Sequence, residues 1–199
     1  MKKKPAKSKN IPISKPRTHE LHRQWWHILV GLLHIAVLGI FGLDALRIFV
    51  VFALGLGVLL VLLSHQKIFS FLKDILSHVQ REKELIPGEG AFFFVVGVGI
   101  VSWLFSNDTH VLGAIIALTF QDAFSTLVGL HWGKTRLMER KSLEGALGGL
   151  VVCFVALSFI FSIPIAFAVS LVASLVELLP LNDAISIPLA SGLILHLLA

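Results

Sequence analysis

Apolar residues fill seven stretches of the chain, at about residues 25–43, 46–64, 91–106, 111–130, 146–163, 165–180 and 185–198. Stretches such as WWHILVGLLHIAVLGIFGL and LRIFVVFALGLGVLLVLLS each supply the roughly 20 mostly apolar residues needed to cross about 30 Å of hydrocarbon. Between the second and third stretches the pattern changes. Ile68, Phe71, Leu72, Ile75, Leu76 and Val79 recur at helical spacing, with Lys67, Lys73, Asp74, His78 and Arg81 on the other positions. That spacing predicts an amphipathic helix lying on a membrane surface, ended by LIPGEG before the third stretch. The expected fold class is therefore all-α: a polytopic membrane helical bundle of about seven transmembrane helices plus one amphipathic interfacial helix.

Composition points the same way. The 199 residues are 56% hydrophobic and 15% charged, with mean hydropathy +0.87; soluble domains average about 45–50% apolar and about 25% charged. The first 24 residues are polar and basic, so no cleaved signal peptide is expected. The single cysteine, Cys153, lies in an apolar run and reads as a small core residue. Net charge is +5, and its placement is more informative than its sum. Lys2, Lys3, Lys4, Lys7, Lys9, Lys15, Arg17 and Arg23 fill the N-terminal tail. With the N-terminus cytoplasmic, every Lys and Arg except Arg47 falls on the cytoplasmic side, as the positive-inside rule requires. Two regions result: residues 1–19 as a disordered basic cytoplasmic tail with affinity for anionic lipid, and residues 20–199 as the integral-membrane domain. No module for nucleic acid accompanies the tail, and no nucleic-acid partner is expected.

The polar residues retained inside the apolar stretches carry the candidate chemistry. Asp122 lies eight residues before the inner end of its span, and Glu177 lies near the end of its own. An ionised carboxylate at depth costs at least about 2.5 kcal/mol, so such acids are functional candidates, with a structural ion pair as the alternative. Asn182 and Asp183 occupy a short turn, where either can also serve as a helix cap. GLHWGKT has only three residues between Gly129 and Gly133 and follows a membrane span, so it is not a Walker loop. Gly and Lys nevertheless suit the neighbourhood of a phosphate. Lys134, Arg136, Arg140 and Lys141 follow in one cytoplasmic loop, and KSLEGALGG re-enters the membrane with Ser142 placed to cap a helix. A helix N-terminus favours anions, so Lys141 and that helix end can hold phosphate oxygens. Asp122 and Glu144 as Mg²⁺ ligands, with lysines on the phosphates, is the layout that phosphoryl transfer requires. On the first span Arg23, His27, Gly31 and His34 share one helix face. His27 is placed either to orient a lipid hydroxyl or phosphate, or simply as a polar residue at the interface beside Trp25 and Trp26. The histidines fit no zinc pattern.

Taken together, ELHRQWWHILVGL, DAFSTLVGLHWGKTRL, KSLEGALGG and ELLPLNDAISIP resemble the CTP-dependent polyprenol kinase family, which includes dolichol kinases, phytol kinases and CTP-dependent diacylglycerol kinases. The resemblance runs from about Glu20 to the end of the chain. It implies that Asp122, Gly129, Gly133, Lys134, Lys141, Ser142, Glu144 and Gly145 form the nucleotide side of a site, completed by Glu177, Asn182 and Asp183. Arg23 and His27 are expected to bind substrate, His27 through either a lipid hydroxyl or a phosphate. The implied reaction transfers the γ-phosphoryl of CTP, with Mg²⁺, to a membrane lipid alcohol. The favoured acceptor is an isoprenoid alcohol of dolichol, polyprenol or phytol type, ahead of diacylglycerol. The chain departs from the family pattern in two places, reading Arg23-Gln24 where Arg-Lys is frequent and Asn182-Asp183 where Asp-Asn is frequent. Two other readings stay open. A CDP-diacylglycerol synthase shares the Asp…Gly-Lys…Lys-x-x-Glu-Gly block, but its closing Lys-Asp…His-Gly-Gly…Asp-Arg run is absent here. A transporter would account for Asp122 and Glu177 but not for polar blocks gathered on one face.

Overall fold

Long apolar runs satisfy their backbone hydrogen bonds by winding into helices. In the computed structural model, which describes residues 16–64, 89–138 and 141–199, there are six. They are α1 (Pro16–Ser64), α2 (Glu89–Leu104), α3 (Asp108–Trp132), α4 (Leu143–Ser158), α5 (Ile163–Glu177) and α6 (Asp183–Leu198). The expected all-α class is the one observed. The basic tail up to residue 15, the interfacial helix predicted within 65–90 up to residue 88, and Arg140 lie outside the described residues.

The six helices differ from the seven expected spans chiefly in α1. Its apolar part runs 44 residues from Glu20 to Leu63, about 66 Å if straight, or twice the hydrocarbon thickness. It is not straight. Gly42 takes φ 82° and ψ 179°, a combination open to glycine and strained for any side chain. The rings of His34 and Phe49 then lie 5.1 Å apart, where a continuous helix would separate their positions by about 22 Å. The chain folds back on itself at Gly42, at the end of the first predicted stretch. Arg47 closes the bend through Asp44 (2.9 Å) and donates to the Ser102 carbonyl (2.9 Å) in the last turn of α2.

α3 is the central element, packed against α1, α2, α4, α5 and α6. Glu20–Leu63, folded back on itself at Gly42, and Asp108–Trp132 are long and apolar enough to cross a membrane. The other four have 15 or 16 residues, about 24 Å each, short of a full crossing. Large apolar side chains face outward, among them Leu29, Leu33, Ile40, Phe41, Phe52, Leu147, Phe159 and Leu193. A continuous apolar exterior of this kind marks contact with lipid or protein rather than water. Small residues line the helix contacts and allow close approach. Pro188 inside α6 leaves the Ala184 carbonyl without its helical donor, and Gly97 of α2 packs directly on that oxygen.

Gly42→Ala is expected to lower stability by about 1–3 kcal/mol, because the strained φ is then imposed on an alanine. Gly39→Ala, which meets no atom within 4 Å, should leave stability unchanged or slightly raised. Thermal unfolding in detergent micelles compares the two.

Candidate active site

Five chain segments reach the same end of the bundle: the start of α1, the ends of α3 and α5, and the starts of α4 and α6. Where α3 ends, the Gly133 N–H donates to the Gly129 carbonyl (3.1 Å). The loop that follows doubles back as a narrow hairpin, with Leu143 N–H on the Thr135 carbonyl (2.9 Å), Leu137 N–H on the Lys141 carbonyl (3.0 Å), and Arg136 paired antiparallel with Ser142. Ser142 caps α4, its Oγ accepting from Gly145 N–H (3.1 Å). Glu144, in the first turn, reaches back to accept from the backbone amides of Lys134 (3.1 Å) and Thr135 (3.0 Å). Its own backbone amide at the helix N-terminus holds its carboxyl below the ordinary range; desolvation opposes this, and the Thr135 and Lys134 donors reinforce it. Glu144 thereby staples the loop to α4 while Lys134 stays exposed.

The glycines named from sequence have a packing role. A Cβ on Gly145 would stand 2.6 Å from the Ser125 carbonyl, and one on Gly129 would stand 3.1 Å from Ser142 Oγ. They let α3 and the start of α4 touch backbone to backbone.

The acids lie beside this junction. Glu177, at the end of α5, is buried and accepts from Gln121 Nε2 (2.7 Å) and from Ser125 Oγ. Lys141 Nζ donates to the Glu177 backbone carbonyl and pairs with Asp183 (2.8 and 3.0 Å). The lysine thus ties the hairpin loop to the α5–α6 turn, and its charge suits the carbonyl end of α5. Asn182 is the cap of α6, accepting from Ala184 N–H (3.1 Å), while Asp183 carries the charge. Asp122 faces α1, where His27 Nε2 lies 3.6 Å from Oδ2 and 3.4 Å from the Leu118 carbonyl. Both Asp122 and Asp183 lie within electrostatic reach of Glu177. Arg23 pairs along its own helix with Glu20 (2.5 Å).

The structure therefore gathers His27, Asp122, Lys141, Glu177 and Asp183 at one end, with the Glu144–Lys134 staple on the adjoining loop. Asp122 stands within α3 facing His27, while Glu144 is held at the start of α4 by the loop amides. Gln121 and Ser125 are the contributors that sequence reasoning passed over. The signal was there, since two hydrogen-bonding residues at i and i+4 flank Asp122 on a mostly apolar helix.

The molecule is an all-α bundle with an apolar exterior, with most of its described charged side chains gathered at one end and the Asp44–Arg47 pair at the bend. No family model matches the chain, and no solved structure matches it. Curated relatives do. CTP-dependent diacylglycerol kinase 1 of Schizosaccharomyces pombe is 28% identical over 149 residues, covering 70% of this chain and 67% of the relative. An uncharacterized protein of Methanocaldococcus jannaschii is 29% identical over 129 residues, covering 64% of this chain and 65% of that one. The chain spans about two thirds of the length of each. It is a distant homologue of the diacylglycerol kinase, which supports the resemblance at the level of the family.

Two outcomes follow from this geometry. Gln121→Met should destabilise the protein by about 1–3 kcal/mol, because a buried oxygen of Glu177 loses its donor; denaturant unfolding in micelles measures it. For Glu144, the folded-state pKa is depressed, so its contribution to the loop is present above the unfolded carboxyl value of about 4.3. It is lost as pH falls through the lower folded value. Exchange protection of the Lys134 and Thr135 amides should drop across that acid window and be low at all pH in Glu144→Ala.

Proposed function

We propose that the protein is a multi-pass integral-membrane kinase, N-terminus cytoplasmic, that transfers the γ-phosphoryl of CTP to a lipid alcohol. The acceptor is an isoprenoid alcohol of dolichol, polyprenol or phytol type, or diacylglycerol, the substrate that the fission-yeast relative's name carries. The observation that carries the reading is the gathering of acids, His27 and Lys141 at one end of a bundle that is otherwise apolar outside. Such a site serves a reaction between a water-borne nucleotide and a membrane-borne alcohol.

The reaction joins the lipid hydroxyl oxygen to the γ-phosphorus and breaks the bond to the β-phosphate oxygen. It yields lipid phosphate, CDP and a proton. Catalysis of this kind is mostly positioning and charge neutralisation. Lys134 and Lys141 are assigned to the phosphates, with the α4 N-terminus and the close Gly129, Gly133, Ser142 and Gly145 backbone beside them. Mg²⁺ needs only one or two carboxylates besides the phosphates. Asp122 fits, since its Oδ1 makes no hydrogen bond among the described residues while Oδ2 faces His27. Glu144 is the second ligand with the lone pairs its loop amides leave. Among the described residues no group of three or more His, Cys, Asp or Glu is placed to cage a metal alone. The ion, when bound, neutralises phosphate charge. Lys141 shares its ammonium between Asp183 and the α5 carbonyls, so Asp183 and Asn182 set its position, and Glu177 anchors the helix beneath. Arg23 and His27 stand on the acceptor side.

Purified protein in mixed micelles with Mg²⁺ and γ-labelled CTP should label one of polyprenol, phytol or diacylglycerol. Asp122→Asn should reduce the rate about 100-fold or more, the usual consequence of removing a charge-stabilising group. No label in any of the lipids would overturn the reading.

A further inference from the structure

We propose that the cleft between the starts of α1 and α2 is the acceptor port, taking the hydroxyl end of a lipid alcohol and presenting it to Asp122. The proposal rests on the kinase reading above. The cleft, ≈ 40 Å³, has Arg23, Trp26, His27 and Val30 on its α1 wall and Gly90, Ala91 and Phe94 on its α2 wall. Three features of the wall point to its occupant.

The first is polarity. Val30, Ala91 and Phe94 make the cleft apolar, while His27 and Arg23 give it polar atoms on one side. A molecule with a hydrocarbon tail and one polar end matches that division; a nucleotide does not. The second is position. His27 lines the cleft and also stands 3.6 Å from Asp122 Oδ2, so a hydroxyl held at His27 lies beside the acid assigned to the reaction. The edge of Phe94 meets the His27 ring at 4.8 Å and 87°, which fixes the ring in that orientation. The third is access. Trp25 and Trp26 are more than half exposed at this end of α1, followed outward by exposed Leu29, Leu32 and Leu33. Tryptophans of this kind sit at the membrane–water boundary. A tail can therefore lie along the lipid-facing surface of α1 while only its hydroxyl and first carbons enter. The lysine loop and α4 N-terminus approach from the other helices, so phosphoryl donor and acceptor reach Asp122 from different sides.

The chemistry recognised is a primary hydroxyl on a long apolar tail, common to isoprenoid alcohols and diacylglycerol. A photoreactive diazirine analogue of a long-chain alcohol, added to the full-length protein without CTP, should label Trp26, Val30 or Ala91. Competition by phytol, by a polyprenol and by diacylglycerol then identifies the source. Ala91→Trp, which fills the mouth of the cleft, should abolish that labelling. It should raise the lipid KM about tenfold with the CTP KM unchanged, the signature of lost acceptor binding. Ala36→Trp, an equally bulky change on an exposed position of α1 outside the cleft, should alter neither. Labelling outside the cleft, or an unchanged lipid KM in Ala91→Trp, overturns the port even if phosphorylation proceeds. Labelling in the cleft without phosphorylation of any lipid keeps a lipid-alcohol site and overturns the kinase reading instead.

Discussion

A buried carboxylate has to be answered by donors, and in this bundle the rest of the site is arranged around one. Glu177 is 5% exposed. Leaving either oxygen unpaired in that surrounding would cost far more than an exposed acid would. Gln121 and Ser125 of α3 supply the donors to its side chain, and Lys141 supplies one to its backbone carbonyl. Since Lys141 also pairs with Asp183, one residue links α3, α5, the loop before α4, and α6. The small residues at the helix contacts make this linkage possible. Ser174 of α5 donates to the Ala146 carbonyl of α4 (3.1 Å), and Gly145 brings α4 onto α3.

The same linkage concentrates charge. Asp122 and Asp183 both act electrostatically on Glu177, while Lys141 pairs with Asp183 and His27 stands 3.6 Å from Asp122. Acids outnumber bases at the buried end, while Lys134 and Arg136 stand exposed on the hairpin loop. On the proposed kinase reading, the basic rim would meet the phosphates of a polyanion and the acidic interior its divalent cation. This division of labour is what the proposed kinase reaction needs, and it explains why an otherwise apolar chain keeps these residues.

Much of the fold was legible in the sequence because helices that are apolar both toward the core and on the outside read as long apolar runs. The third to seventh apolar stretches fall within a few residues of α2 to α6, and the break between the first two is located by Gly42. The first two stretches read as separate spans turning back near Arg47, and the Gly42 dihedral and the His34–Phe49 contact fix where that turn lies. In the site, residue types were legible but partnerships were not. Asp122, Lys141, Glu177 and Asp183 stand out as charges in an apolar chain. That Lys141 should pair with Asp183, 42 positions away, depends on helix packing that no local spacing encodes. Gln121 and Ser125 escaped for the opposite reason, being unremarkable in a helix until a buried acid is set against them. The glycines were read for phosphate, and the structure adds a second reason for them in backbone contact between α3 and α4.

The central claim is that the charged end of the bundle moves a terminal phosphoryl group rather than a cytidylyl group or an ion. Its most direct test is to present the same purified protein, Mg²⁺ and acceptor lipid with CTP labelled at either the γ- or the α-phosphate. The account predicts label in the lipid from the γ-position and none from the α-position, with CDP as the second product. Label entering lipid from the α-position, with pyrophosphate released, would contradict it.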